Sequence, residues 1–327
     1  MLDNSLRVSR KIMRARRNPR FYRFYHVFKA LARNRMALAG LVMTAFFFLF
    51  TILDYAYPAY LGVTPANYSL RNAISSFGGT YTSGFYSYPG YPTLANGWYG
   101  WFGYTNYNLP IFPVMLAALK WDVSYTLFIV LISALIGTVV GLISGFYGKY
   151  TDESLMRLSD IFMTVPFLVF AIGIAYVLGG GLLYLMTAFV IVWWPVYAKV
   201  VRKQSRDIRS KKFLSSAAAS GSPRIKTVFS HILPNVLPPV IVQIFLDLGI
   251  VIQIFAAVQF LGLGIVSKNL PDIGNMISWG FHPQYFSHGI WWPVVVPGIF
   301  IVLFSVSVYL LGDGLREVLK SGSEVTY

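Results

Sequence analysis

Asp247 is the side chain whose type and setting most need explaining. It is a carboxyl inside the apolar run from Asn235 to Gln259, with Gln243 four residues before it on the same helical face and Gln253 and Gln259 on other faces. A carboxylate at mid-bilayer costs about 2.5–3.5 kcal/mol on insertion scales, so Asp247 is not expected to face lipid. Two readings stay open, a hydrogen bond at a helix interface or a place along a polar path through a bundle. Other chemistry is thin. His282 and His288 lack a third metal ligand at usable spacing and read as surface groups. Gly148-Lys149 is not a phosphate-binding loop, because Tyr150 stands where Ser or Thr is required and Ile143 where the first glycine should be. The chain has no cysteine, which excludes disulfides and thiolate chemistry. No catalytic residue, cofactor or metal site is expected.

The elements that hold these residues are apolar. With 56% hydrophobic and 12% charged residues, the chain reads as an all-α polytopic membrane protein. A net charge of +15 and a glycine-bent helix pair could suggest nucleic acid binding, but the charge lies beside apolar spans, where Lys and Arg mark the cytoplasmic side. Residues 1–35 carry eleven Lys or Arg and one acid, Asp3, and form a cytoplasmic segment whose end suits an amphipathic helix on an anionic leaflet. Residues 36–54 make the first span. Residues 55–119 form an insert with Arg71 as its one formal charge and eleven tyrosines, expected outside the cell as a cap of loops and short strands.

Five further spans are expected within 120–319, at about Val123–Phe146, Leu155–Leu178, Leu182–Val201, Asn235–Gln259 and Ile290–Leu311. The Gly312-Asp313-Gly314 element follows, and then a cytoplasmic tail, 320–327. Gly137, Gly141 and Gly145 recur every fourth residue and set a ridge where another helix can approach closely. Arg157 and Asp160 stand as an i, i+3 pair, and Pro166 should kink its span.

Between spans four and five lies a polar, basic island, 202–234. From Lys199 to His231 it has nine Lys or Arg against one acid, Asp207, which places it inside. Gly221 is the expected left-handed stop of an Ala-rich helix, Ser222 an N-cap and Pro223 the first residue of a second helix, about Arg224 to Leu233. Ile225, Val228, Phe229 and Ile232 form one apolar stripe on it. That stripe either packs on this chain's own helices or enters a groove on a partner.

The island resembles the coupling loop of ABC-importer permeases, whose pattern is Glu-Ala-Ala, three residues, Gly, nine residues, Ile-x-Leu-Pro. The matching positions here are Ser215, Ser216, Ala217, Gly221, His231, Leu233 and Pro234, with Ala218 beside them. Ser215 replaces the glutamate, Ser216 an alanine and His231 the isoleucine. The runs ARNRMALAG, YGKYTDESLMRLSDIFMTVP, ASGSPRIKTVFSHILPNVLPP, FLGLG and LLGDGLRE occur in the order of the second permease subunit of dipeptide and oligopeptide importers. The resemblance implies a six-span type I importer subunit in the cell membrane, with both termini cytoplasmic. It also implies a heterodimer with a sister permease, two cytoplasmic ATPases that hydrolyse the ATP, and an external substrate-binding protein. The cargo would be peptides, oligosaccharides or nickel. Two other classes are a secondary transporter, disfavoured by a solitary Asp247, and a scaffold acting through the tyrosine-rich insert.

Overall fold

The computed structural model describes residues 31, 34–56, 91–92, 100–105, 110–177, 181–210, 223–263 and 272–324. The tyrosine-rich insert lies mostly outside them. Helix α1, Arg35–Ala56, starts where Asn34 Oδ1 accepts from the Met36 and Ala37 amides at 2.9 and 3.3 Å, an N-cap that satisfies two otherwise orphaned donors. The same Asn34 donates to Glu317 Oε2 at 2.5 Å, tying the start of α1 to the last helix.

Helix α2, Ile111–Tyr147, is 37 residues long and begins twelve residues before the expected Val123. Lys120 and Asp122 look like a boundary in the sequence, but both are buried in tertiary contacts, so the helix passes through them. Pro113 falls in the first turn, where a missing N–H breaks no intrahelical bond. At about 1.5 Å per residue the helix spans roughly 55 Å, well beyond a hydrocarbon core of about 30 Å.

Helices α3, Lys149–Thr164, and α4, Phe167–Val177, meet at a 90° bend. The sequence predicts a kink at Pro166; the structure has a break. Val165 is extended at φ −80°, ψ 134°, as a residue before proline prefers. The expected Arg157–Asp160 pair does not form. Arg157 reaches back to Glu153 at 2.6 Å, the i, i+4 partner, while Asp160 takes Lys199 from another helix at 2.7 Å.

Helix α5, Leu182–Arg209, extends eight residues past the expected end at Val201. It packs along α2 on the glycine ridge. Gly137 faces Trp194, Tyr197 and Ala198, Gly141 faces Ala198 and Val201, and Gly145 faces the Arg202 carbonyl and Ser205. A Cβ on Gly141 would stand 2.6 Å from the Ala198 carbonyl oxygen and 2.7 Å from Val201 Cβ. The two backbones are as close as glycine permits.

The second helix of the island begins at Arg224 as expected but does not end at Leu233. Helix α6, Arg224–Thr227, runs through a π turn, Val228–Ile232, into α7, Leu233–Phe260. Pro234 has no N–H to give the preceding turn. Leu233 N donates instead to Val228 O, five residues back, and the Asn235 side chain takes the His231 carbonyl at 2.6 Å. The wider turn splits the expected stripe. Ile232 is buried and Val228 half-buried against the core, while Phe229 turns outward at 63% exposure.

After α8, Ile273–Gly280, and α9, Pro283–Ser287, the last helix α10 runs unbroken over Trp292–Glu324. Its Gly312 and Gly314 lie within the helix, past the expected end of the span at Leu311. They seat against Phe245, Leu246 and Ala37, so close packing accounts for both. Among the described residues, five helices are long and apolar enough to cross a membrane, and the bent α3/α4 pair makes a sixth if taken as one span. Aromatic contacts join the bundle, Phe167 lying 4.9 Å from Phe189 and 4.6 Å from Trp193, and Phe189 5.5 Å from Phe255. Val42, Phe46, Leu49, Leu135, Val139 and Ile299 point outward, the arrangement a lipid solvent requires.

Gly141→Leu should lower the thermal midpoint of the detergent-purified protein by an amount equivalent to about 1–3 kcal/mol of overpacking. Gly298→Leu, at a position with nothing within 4 Å of the added Cβ, should not. Equal midpoints for the two variants would refute the ridge as the packing constraint.

Candidate coupling site

Three polar groups stand out in the folded chain. The first lies where α2, α3 and α5 meet, at the end of α5 that precedes residues 211–222. Gly148 at φ 67° and Lys149 at φ 50° reverse the chain sharply from α2 into α3, which sets Asp152 on the first turn of α3 facing the end of α5. Arg202 and Arg206, one turn apart on α5, converge on it. Arg202 Nε donates to Asp152 Oδ1 at 2.5 Å and Arg202 Nη2 to Oδ2 at 2.8 Å, a bidentate fork; Arg206 Nη2 donates to Oδ2 and Ser144 Oγ to Oδ1. Asp152 is itself buried.

The Arg202 hydrogen bonds, helped by Ser144 and the two positive charges, outweigh burial and hold the Asp152 carboxyl down to about 2. Its folded pKa is depressed, so its contribution is present above the unfolded value near 4 and is lost only as pH falls through about 2. No spacing argument from the sequence brings Asp152 to Arg202 and Arg206. Two adjacent acids after a Gly-Lys turn, Asp152 and Glu153, and an i, i+4 arginine pair fifty residues on are the signal the sequence holds.

The loop residues read from the sequence, Ser215, Ser216, Ala217, Ala218, Gly221 and Ser222, lie outside the described residues. Pro223 is exposed, and Thr227 N donates to its carbonyl at 3.1 Å. Phe229 is exposed, Leu233 half-buried and Pro234 exposed. Of Ile225 only the helical backbone is described.

The second group is Asp247, 2% exposed between α7 and α5. Gln243 Nε2 donates to its Oδ1 at 3.0 Å. Tyr197 and Trp193 of α5 lie beside the carboxyl, yet neither closes a hydrogen bond of good geometry, and Asp247 Oδ2, Tyr197 Oη and Trp193 Nε1 are all buried without a partner. Gln253 is not part of this group. It is exposed and lines an open cleft of about 390 Å³ with Pro166, Phe167, Leu168, Ile254 and Ala257, at the α3/α4 break.

The third group caps α8. Asp122 of α2 accepts from Ile273 N at 2.9 Å and from Gln259 Nε2 at 3.3 Å, and Asp272 accepts from Asn275 N at 2.7 Å. Two buried carboxyls therefore meet one helix N-terminus, where the dipole favours negative charge. Burial nevertheless pushes Asp272 up to about 6, with the Asn275 and Gly274 hydrogen bonds working against the rise.

Long apolar helices, a glycine-packed α2/α5 pair and an ionic cluster at the end of α5 define a polytopic membrane subunit. Residues 137–319 match the family described as binding-protein-dependent transport system inner membrane component. The chain is also 32% identical to the dipeptide transport system permease protein DppC of Alkalihalophilus pseudofirmus, over 89% of this chain and 88% of that one. It is 33% identical to the probable D,D-dipeptide transport system permease protein DdpC of Escherichia coli, over 65% and 71% of the two chains. A chain of the inward-facing MetNI methionine ABC transporter overlaps with a TM-score of 0.47 at 19% identity, over 63% of this chain and 98% of that one. The protein belongs to the binding-protein-dependent permease family, as an ABC-importer permease of the dipeptide permease type.

A raised carboxyl favours the folded state only while protonated, so stability should fall as pH rises from about 4 to about 6. Asp272→Asn should flatten that fall in thermal midpoints measured across the window. A slope unchanged by the substitution would show that another group titrates there.

Proposed function

We propose that the chain is one of two different permease subunits of an ATP-driven importer in the cell membrane, passing short peptides from an external binding protein to the cytoplasm. The observation that carries this is the near full-length likeness to a dipeptide permease, 32% identical over 89% of the chain. The loop 211–222 supplies the mechanical part. It joins α5 to the α6–π–α7 helix, so a cytoplasmic ATPase gripping it pulls on two spans at once.

ATP-driven closure of two such ATPases would rock α5 and α7 and alternate access to a pathway shared with the sister permease. Gly221 and Ser222-Pro223 set the bend, Ala217 and Ala218 allow close approach, and Phe229 offers an exposed aromatic near the loop. Gln253, exposed in the open cleft at the α3/α4 break, offers an amide side chain to a passing solute. Both termini face the cytoplasm in this arrangement.

The complex should co-purify with a second permease, ATPases and a binding protein that retains a short peptide, and should take up labelled dipeptide in proteoliposomes only with ATP inside. A homo-oligomer that transports without ATPases would overturn the reading. Gly221→Val should strain a residue expected at positive φ and cut uptake per ATP hydrolysed by about tenfold. Because the chain has no native cysteine, single cysteines placed between 211 and 222 should react with impermeant reagents only from the cytoplasmic side. Labelling from outside would contradict the orientation.

A further inference from the structure

We propose that Asp152, Arg202 and Arg206 are positioning residues for coupling: a standing ionic clasp that fuses the α2–α3 turn to the loop-proximal end of α5, so that force on the loop moves α2 and α5 together. This rests on the importer reading above.

The segment that needs holding is Arg202–Arg209, RKQSRDIR. It is the last stretch of α5 before the loop, and Ser205 and Ile208 are its buried side chains. So little apolar surface cannot by itself keep two turns of helix on a neighbour under load. The glycine ridge ends at Gly145, whose added Cβ would meet Ser205 Cβ at 2.5 Å. The clasp begins at that level, since Ser144, the residue before Gly145, is one of its donors. Packing hands over to charge without a gap.

Asp152 uses both carboxylate oxygens on four donors from three residues of two helices, and its planar fork with Arg202 fixes direction as well as distance. The acid is buried, whereas the Arg202 and Arg206 side chains remain 30% and 48% exposed, so removing the carboxylate leaves two like charges side by side. The second ion pair between the same helices, Asp160 with Lys199, lies nearer the membrane-spanning part and is exposed on both sides, which leaves Asp152 as the inner anchor.

The test uses the whole importer in proteoliposomes, with cysteines removed from the partner subunits. Asp152→Cys and Arg206→Cys are introduced together and joined by a short, reducible bis-maleimide. Unlinked, the pair should keep ATP hydrolysis but lose about tenfold in uptake per ATP; linked, it should regain at least half, and lose it again on reduction. Wild-type coupling in the unlinked pair, or no difference between linked and reduced states of one preparation, would overturn the clasp.

Should the double variant not assemble, Asp152→Asn and Asp152→Glu give the second reading. The amide should lower uptake per ATP with hydrolysis retained, and the longer carboxylate should restore it. Equal coupling in Asp152→Asn and the unaltered chain would overturn the proposal. Absence of ATP-dependent uptake by the unaltered importer would instead refute the importer reading.

Discussion

The close approach of α2 and α5 is the constraint on which the rest depends. Gly137, Gly141 and Gly145 let the two backbones pack at distances that a single methyl group would forbid. Within a bilayer, where apolar burial between helices gains little over contact with lipid, such van der Waals fit is a main source of association. Once α5 is fixed on α2, Trp193 and Tyr197 are carried to Asp247 on α7, and Arg202 and Arg206 are carried to Asp152. Both polar groups follow from one apolar contact.

The three polar groups divide by depth. Asp152 is charged, saturated with donors and set at the root of the loop. Asp247 lies within the apolar bundle, where Gln243 donates to its Oδ1 and Tyr197 and Trp193 of α5 lie beside the carboxyl. Asp122 and Asp272 sit together at the start of α8.

What the sequence made legible was local. The glycine ridge shows because its period matches the helix, and a bend at Pro166 shows, though not that it is a full break, because proline acts on its immediate neighbours. The resemblance to a permease loop rests on Gly221, Leu233 and Pro234 in order. Helix ends were less legible: Lys120 and Asp122 resemble a boundary until tertiary contacts bury them, and the last helix runs past the expected end at Leu311, its Gly312 and Gly314 seated against Phe245, Leu246 and Ala37. The π turn escaped because a register of i, i+3, i+4 assumes an ordinary helix, and Pro234 denies that helix a donor. The Asp152 cluster escaped because its partners lie 50 and 54 residues away, and Arg157–Asp160 was the nearer pairing.

The most direct measurement of the central claim is the distance between spin labels at Tyr147 on α2 and Lys203 on α5, both exposed, in the reconstituted importer. If α2 and α5 move as one body, the distance distribution is the same in the ATP-free and ATP-trapped states while transport proceeds. A separation that shifts or splits between those states would contradict it.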